Sequence, residues 1–216
     1  MVKEDAARIL VNIKFTQMFL RSAHNVIRIL AYEQIDSIMP LCGSDCTKVF
    51  IDPFDMELHT AIQKRRHTRE YFHEKEILNC FVDIMKALGS YHFSLREHGY
   101  VCPLSVFVCG RNFKLMDGNF FPINHFIMCK LDDKSHYAAP ELYNQRSVSD
   151  GDLININVYK CDVFSFGLTL LAMASLKTDF RDIYDDESLL VNKAKLENEV
   201  NSCFSEGYSE LLRAII

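Results

Sequence analysis

Apolar positions recur at helical spacing from Ala6 to Ala23, where Ile9, Leu10, Ile13 and Leu20 share one face. Val11, Phe15, Met18 and Phe19 fall on the other side, which predicts contact on both faces of this helix. Two β-type runs follow, VIRILAYEQI and KVFIDPF, with turn residues between them in PLCGSDC. From Met56 the helical pattern returns, first in ELHTAIQKR and then in EKEILNCFVDIMKALGSYHFSLREH. There Ile77, Leu78, Phe81, Ile84, Met85 and Leu88 form one stripe. VCPLSVFVC and FKLMDGN read as short strands joined by Gly110 and Arg111. After an exposed loop at SVSDGDLIN, the segment CDVFSFGLTLLAMASL is apolar on most sides and predicts a helix in the middle of a domain. The tail is helical, with turns near Ser205 and Gly207. The order is helix, two strands, then mostly helices with a small hairpin, an α+β class without internal repeats.

Composition narrows the function classes. An apolar share of 49% in 216 residues is ample for a packed core and excludes disorder. The net charge of -5 and the lack of a strong basic face disfavour nucleic acid. Eight cysteines occur without a CxxC, and the nearest pair, Cys42 and Cys46, supplies two ligands where a zinc site needs four, so reduced thiols are expected. The acidic residues early in the chain do not suit a signal peptide, and the longest uncharged run, Val163 to Leu176, is too short for a bilayer. A cytoplasmic protein with no membrane association is the expectation.

A family resemblance enters at YAAPEL followed by KCDVFSFGLTLLAM. The pair resembles the A-P-E motif and the following D-x-W-S-x-G helix of eukaryotic protein kinases, with Ala139, Pro140 and Glu141 matching the first and Asp162, Ser165 and Gly167 the second. KLMDGN resembles the strand leading into D-F-G. ALGSYHFSLREHGYVCPLSVFV is similar, without a gap, to the segment ending in H-R-D-L-K-P-x-N-I-L. Upstream, SAHNVIRIL resembles H-P-N-I-V-x-L and VFIDPFDMEL the hinge strand and its exit. The resemblance spans nearly the whole chain and implies a protein-kinase-like fold. A truncated N-lobe of one helix and about two strands would occupy residues 1–54, and a C-lobe residues 55–216, ending before the last family helix.

The chemical positions depart from the family. Phosphoryl transfer needs metal-held phosphates and a carboxylate that orients the attacking hydroxyl. In HGYVCPLS the carboxylate position holds Tyr100, the phosphate-contacting Lys position Cys102 and the metal-binding Asn position Ser105, while His98 and Pro103 keep the loop's shape. Asp117 stands at the second metal position, but Gly118 replaces the Phe that follows it. Lys14 falls near where the first helix should offer a Glu. No G-x-G-x-x-G or V-A-I-K occurs, so the phosphate-anchoring strands would lie before residue 1. An adenine could still meet the Asp52 carbonyl and the Phe54 amide over Phe107 as floor, which leaves ATP and Mg as weak ligands at most. Glu141 lacks the family's late Arg, so it is either solvated or paired with Arg213 or Arg146. Asp162 is expected to accept hydrogen bonds from the backbone around His98 and Gly99. His92 and His98 match structural positions, and Tyr137 and Ser135 lie where kinases are phosphorylated, although the Thr position there holds Lys134.

The resemblance together with these losses implies a catalytically inactive pseudokinase in signalling that presents a surface to a protein partner. A partner or a second copy would cover the incomplete N-lobe, whose sheet edge and apolar surface lack their usual neighbours. The alternative is a fragment of a divergent protein kinase that transfers phosphate from ATP to Ser, Thr or Tyr of proteins.

Overall fold

The computed structural model describes residues 2–20, 23–35, 46–118, 137–143, 156–185, 190–204 and 207–216. Lys134, Ser135, Arg146, Cys42 and Asn119 lie outside the described residues. The fold is α+β, with seven α-helices and two small antiparallel sheets among the described residues.

Helix α1 (Val2–Phe19) ends four residues before the periodicity predicts. The chain must turn there to drop Val26 and Ile27 into the core, where each is 1% exposed. One face of α1 buries Ile13, Thr16 and Leu20, spaced by three and four residues. Its other face is covered only in part: Phe15 packs against the core with the Arg96 guanidinium 4.3 Å above its ring, while Val11, Met18 and Phe19 are exposed. Strands β1 (Ile29–Ile35) and β2 (Cys46–Ile51) pair antiparallel, with a register irregularity between Ile29 and Ala31.

A second sheet is built from β3 (Met56–Glu57), β4 (Val106–Cys109) and β5 (Asn112–Leu115), in the order β3-β4-β5. Met56 and Glu57, which the pattern assigns to a helix, form this short strand before α2 (Leu58–Thr68). Gly110 at φ 65 takes the first position of the two-residue turn between β4 and β5, where a left-handed conformation matches the strand twist. The run VCPLSVFVC is a strand only from Val106. Its first half is a turn closed by Ser105, whose hydroxyl donates to the Cys102 carbonyl at 3.0 Å and accepts the Cys102 N–H at 3.1 Å. Residues 25–27 bind the two sheets together: Leu115 N–H donates to the Asn25 carbonyl and Ile27 N–H to the Leu115 carbonyl.

The core lies between α3 (Glu74–Phe93) and α5 (Val158–Ser175), with the Phe81 and Phe166 rings stacked at 6.2 Å. Among the described residues α5 is the one helix long and apolar enough to cross a membrane, and 61% of it is buried inside the protein. The short α4 (Pro140–Tyr143) precedes it, and α6 (Lys193–Phe204) and α7 (Glu210–Ile215) close the far side. Tyr91 sits at the centre, fully buried, and its hydroxyl has no hydrogen-bond partner among the described residues. Removing an unsatisfied buried group recovers its desolvation cost, so Tyr91→Phe is expected to be neutral or stabilising by up to about 2 kcal/mol. Urea unfolding checks this, and a clear loss of stability would mean that the hydroxyl is satisfied after all.

Candidate functional site

Several of the residues singled out by sequence meet where the loop 98–105 packs against the segment after β5. Asp162, in the first turns of α5, holds this meeting point from below. Its carboxylate accepts the His98 N–H at 2.8 Å, the Gly99 N–H at 2.9 Å and a contact from His92 Nε2 at 3.0 Å. Burial by itself raises the Asp162 pKa, but His92 and the two backbone N–H groups outweigh it and hold the group below its ordinary range. The hydrogen bonds expected of Asp162 are therefore present.

His98 carries the frame upward. Its Nδ1 accepts the Tyr100 N–H at 3.3 Å, which leaves Nε2 as the donor to the Met116 carbonyl at 2.6 Å. Gly99 takes a left-handed φ of 73 to turn the chain. Pro103 is buried and its carbonyl accepts from His59 N–H at 2.9 Å, so loop 98–105 is fixed at both ends.

The positions of chemical interest hold inert groups. Burial raises the Tyr100 phenol pKa, with Cys102 adding to the shift, so the hydroxyl stays protonated and offers no carboxylate-like base. Burial pushes the Cys102 thiol up to about 11, which leaves it neutral. Ser105 is fully buried and spends its hydroxyl on the Cys102 backbone. Asp117 is 1% exposed and accepts a 2.7 Å hydrogen bond from Thr16 Oγ1 of α1. Among the described residues no three His, Cys, Asp or Glu side chains converge as metal ligands. Gly118 lies against the His98 carbonyl oxygen, and a β-carbon there would overlap that oxygen and meet two His98 ring atoms at 3.2 Å.

Asp52, Phe54 and Phe107 are also brought together, at the passage from β2 to β3. Phe54 and Phe107 pack edge to face at 4.5 Å. The Asp52 carboxylate is engaged elsewhere, by Arg28 Nη2 at 2.9 Å and Lys114 Nζ at 2.9 Å. Burial opposes ionisation, yet Arg28 and Lys114 lower its pKa to about 2. Arg28, Asp52 and Lys114 come from three separate segments, so this cluster has no local signal.

The remaining expectations resolve simply. Glu141 is solvent-exposed, while Arg213 binds Asn201 and approaches Glu210 at 3.9 Å. Lys14 is exposed, and Thr16 is the α1 residue that reaches the site. A signal for Thr16 exists: it is a polar residue in register with buried Ile13 and Leu20. Tyr137 is buried, and its hydroxyl donates to the Thr178 carbonyl at 3.0 Å. Ala139 is fully buried beside it, Pro140 opens α4, and Gly167 lies in α5 with the Ile216 carbonyl 3.7 Å from where a β-carbon would stand. A cleft of about 490 Å³ opens beside Thr16, Gln17, Arg28 and Leu30, between α1 and β1. A scan against protein-family models finds no match to this chain, and a search of the curated proteins finds no relative.

Proposed function

We propose that the chain is a degenerate protein-kinase-like domain that works by binding a protein partner and does not transfer phosphate. The observation that carries this reading is the contrast within loop 98–105. Its hydrogen-bonded frame, from Asp162 through His98 to Met116, is complete, while Tyr100, Cys102 and Ser105 are neutral and supply no base, no cation and no open ligand oxygen. A loop kept in shape without its chemistry serves a surface role. The open apolar groups support the same reading: Val11, Met18 and Phe19 on α1 and Leu30 and Phe50 on the first sheet await a partner or a second copy. ATP and Mg are at most weak ligands in this proposal, and the cytoplasm is the compartment it suits.

Thermal unfolding with ATP, with and without Mg, tests it. A pocket saturated a hundredfold above Kd would raise Tm by about 5–10 °C in a protein of this size. The expected shift is below about 1 °C, with no phosphate transferred to a generic protein substrate. Magnesium-dependent stabilisation abolished by Asp117→Ala, or transfer that depends on Tyr100, would overturn the proposal.

A further inference from the structure

A second cleft, of about 890 Å³, lies on the side of the molecule formed by α2, the first turns of α3 and the β4–β5 hairpin. Its floor is apolar: Met56, Ala61 and Val108 are half-buried, and the Phe113 ring closes it from below. Its rim is basic. Lys64 comes from α2, Lys75 from α3 and Arg111 from the hairpin turn, and all three are exposed. None of the three makes an ion pair with a described residue. The Lys64 ammonium lies 3.9 Å from the Met56 Sδ.

The acidic groups nearby are already used. Glu76 pairs with Arg65 at 2.7 Å and caps α3 by accepting the His73 N–H at 2.8 Å. Asp55 accepts the Gly110 N–H at 2.7 Å, and Asp83 the Phe113 N–H at 2.9 Å. Arg65, for its part, lies over the Phe72 ring at 4.1 Å and also donates to the Tyr71 carbonyl. In a chain of net charge -5, the cleft therefore gathers three uncommitted cations around an apolar floor.

We propose that this cleft docks an acidic segment of the partner protein, with apolar side chains seated on Met56, Ala61 and Val108 and carboxylates facing Lys64, Lys75 and Arg111. The proposal rests on the reading that the chain acts by binding a protein. Three features select this occupant. The cations sit on three different elements and surround the floor, which suits carboxylates spread along a peptide rather than one phosphate gripped from several sides. The apolar groups are recessed in a cavity, where side chains can enter and a bilayer surface cannot. Rim charges steer and orient an oppositely charged partner, and a flexible Met in the floor adapts to its anchors.

The experiment uses the whole chain and a fluorescent peptide of nine residues, six of them Glu or Asp, two Leu and one Phe, followed by anisotropy. Saturable binding is expected. Lys75→Glu with Arg111→Glu should weaken it at least tenfold while leaving Tm unchanged, since both side chains are exposed. A peptide with Ser in place of Leu and Phe should bind at least tenfold more weakly, and high salt should weaken the parent peptide several-fold.

Absence of saturable binding overturns the proposal, as does binding that ignores the double charge reversal or the loss of the apolar anchors. Binding of phosphatidylserine vesicles without binding of the peptide assigns the cleft to a membrane surface and equally overturns it. A phosphate-transfer assay on the same protein separates the two readings. Transfer together with peptide binding sinks the inactive-domain reading and leaves the docking cleft. Neither transfer nor binding removes the docking cleft alone.

Discussion

Replacing Asp162 by Ala is expected to cost about 3–5 kcal/mol of folding stability, the largest effect of any single side chain at the loop. The two N–H groups of His98 and Gly99 lose their acceptor, and an alanine offers none in return. His92 loses its carboxylate at the same time. Asp162→Asn keeps one oxygen and roughly the same volume, so its cost should be about half as large.

The pH dependence has a definite sign. Asp162 has a folded-state pKa depressed below its unfolded value, so its stabilisation is fully present above the unfolded pKa, about 4, and is lost as pH falls through the folded pKa. The stability gap between the wild type and Asp162→Asn should therefore narrow as pH drops below about 4. Asp52, held at about 2 by Arg28 and Lys114, acts in the same direction, so the variant keeps a residual acid sensitivity. Urea titrations of both proteins at several pH values measure this, and a gap that does not change between neutral and acid pH would remove the ionised Asp162 from the account.

Gly118→Ala is expected to destabilise by about 2–3 kcal/mol, the upper part of the range for overpacked sites, because the obstacle is backbone. The new β-carbon overlaps the His98 carbonyl oxygen, and His98 is itself tied to Met116, Tyr100 and Asp162, so the loop cannot yield cheaply. The φ of Gly118 lies outside the left-handed region, so the requirement here is space and not backbone freedom. Introducing a Phe at this position should prevent folding altogether. Gly89 supplies the control: it is exposed in α3 with nothing near its missing β-carbon, and Gly89→Ala should stabilise by about 0.5–1 kcal/mol. Parallel melts of the two variants decide the matter. Equal stability of Gly118→Ala and wild type would mean that the two loops separate freely.

The long periodic segments were legible without coordinates. The stripe of Ile77, Ile84 and Leu88 marked the buried face of α3, and the uniform apolarity of 163–176 marked α5 as a core helix. Met85, assigned to the same stripe, is half turned to solvent at 38% exposure. Errors fell at boundaries. The run 101–105 has the composition of a strand but closes as a turn, because Ser105 satisfies the Cys102 backbone locally. Met56 and Glu57 sit in a helical pattern but pair with Val108 and Phe107, since the hairpin offers them a ladder. The site was half visible: Asp162, His98 and Tyr100 stood out by resemblance, while Thr16, Arg28 and Lys114 did not.

The sequence by itself determined the order of the long helices and the buried faces of α3 and α5, because side-chain chemistry and periodicity are local properties of the chain. Only the tertiary structure decided which groups satisfy one another. Asp117 meets Thr16, and Asp52 meets Arg28 and Lys114, each pairing spanning distant segments, while Lys64, Lys75 and Arg111 are left unpaired by the described acidic groups along one cleft. The physical reason is that a buried polar group takes whatever donor the packing leaves unmet beside it, and that choice is made in space after the core has closed.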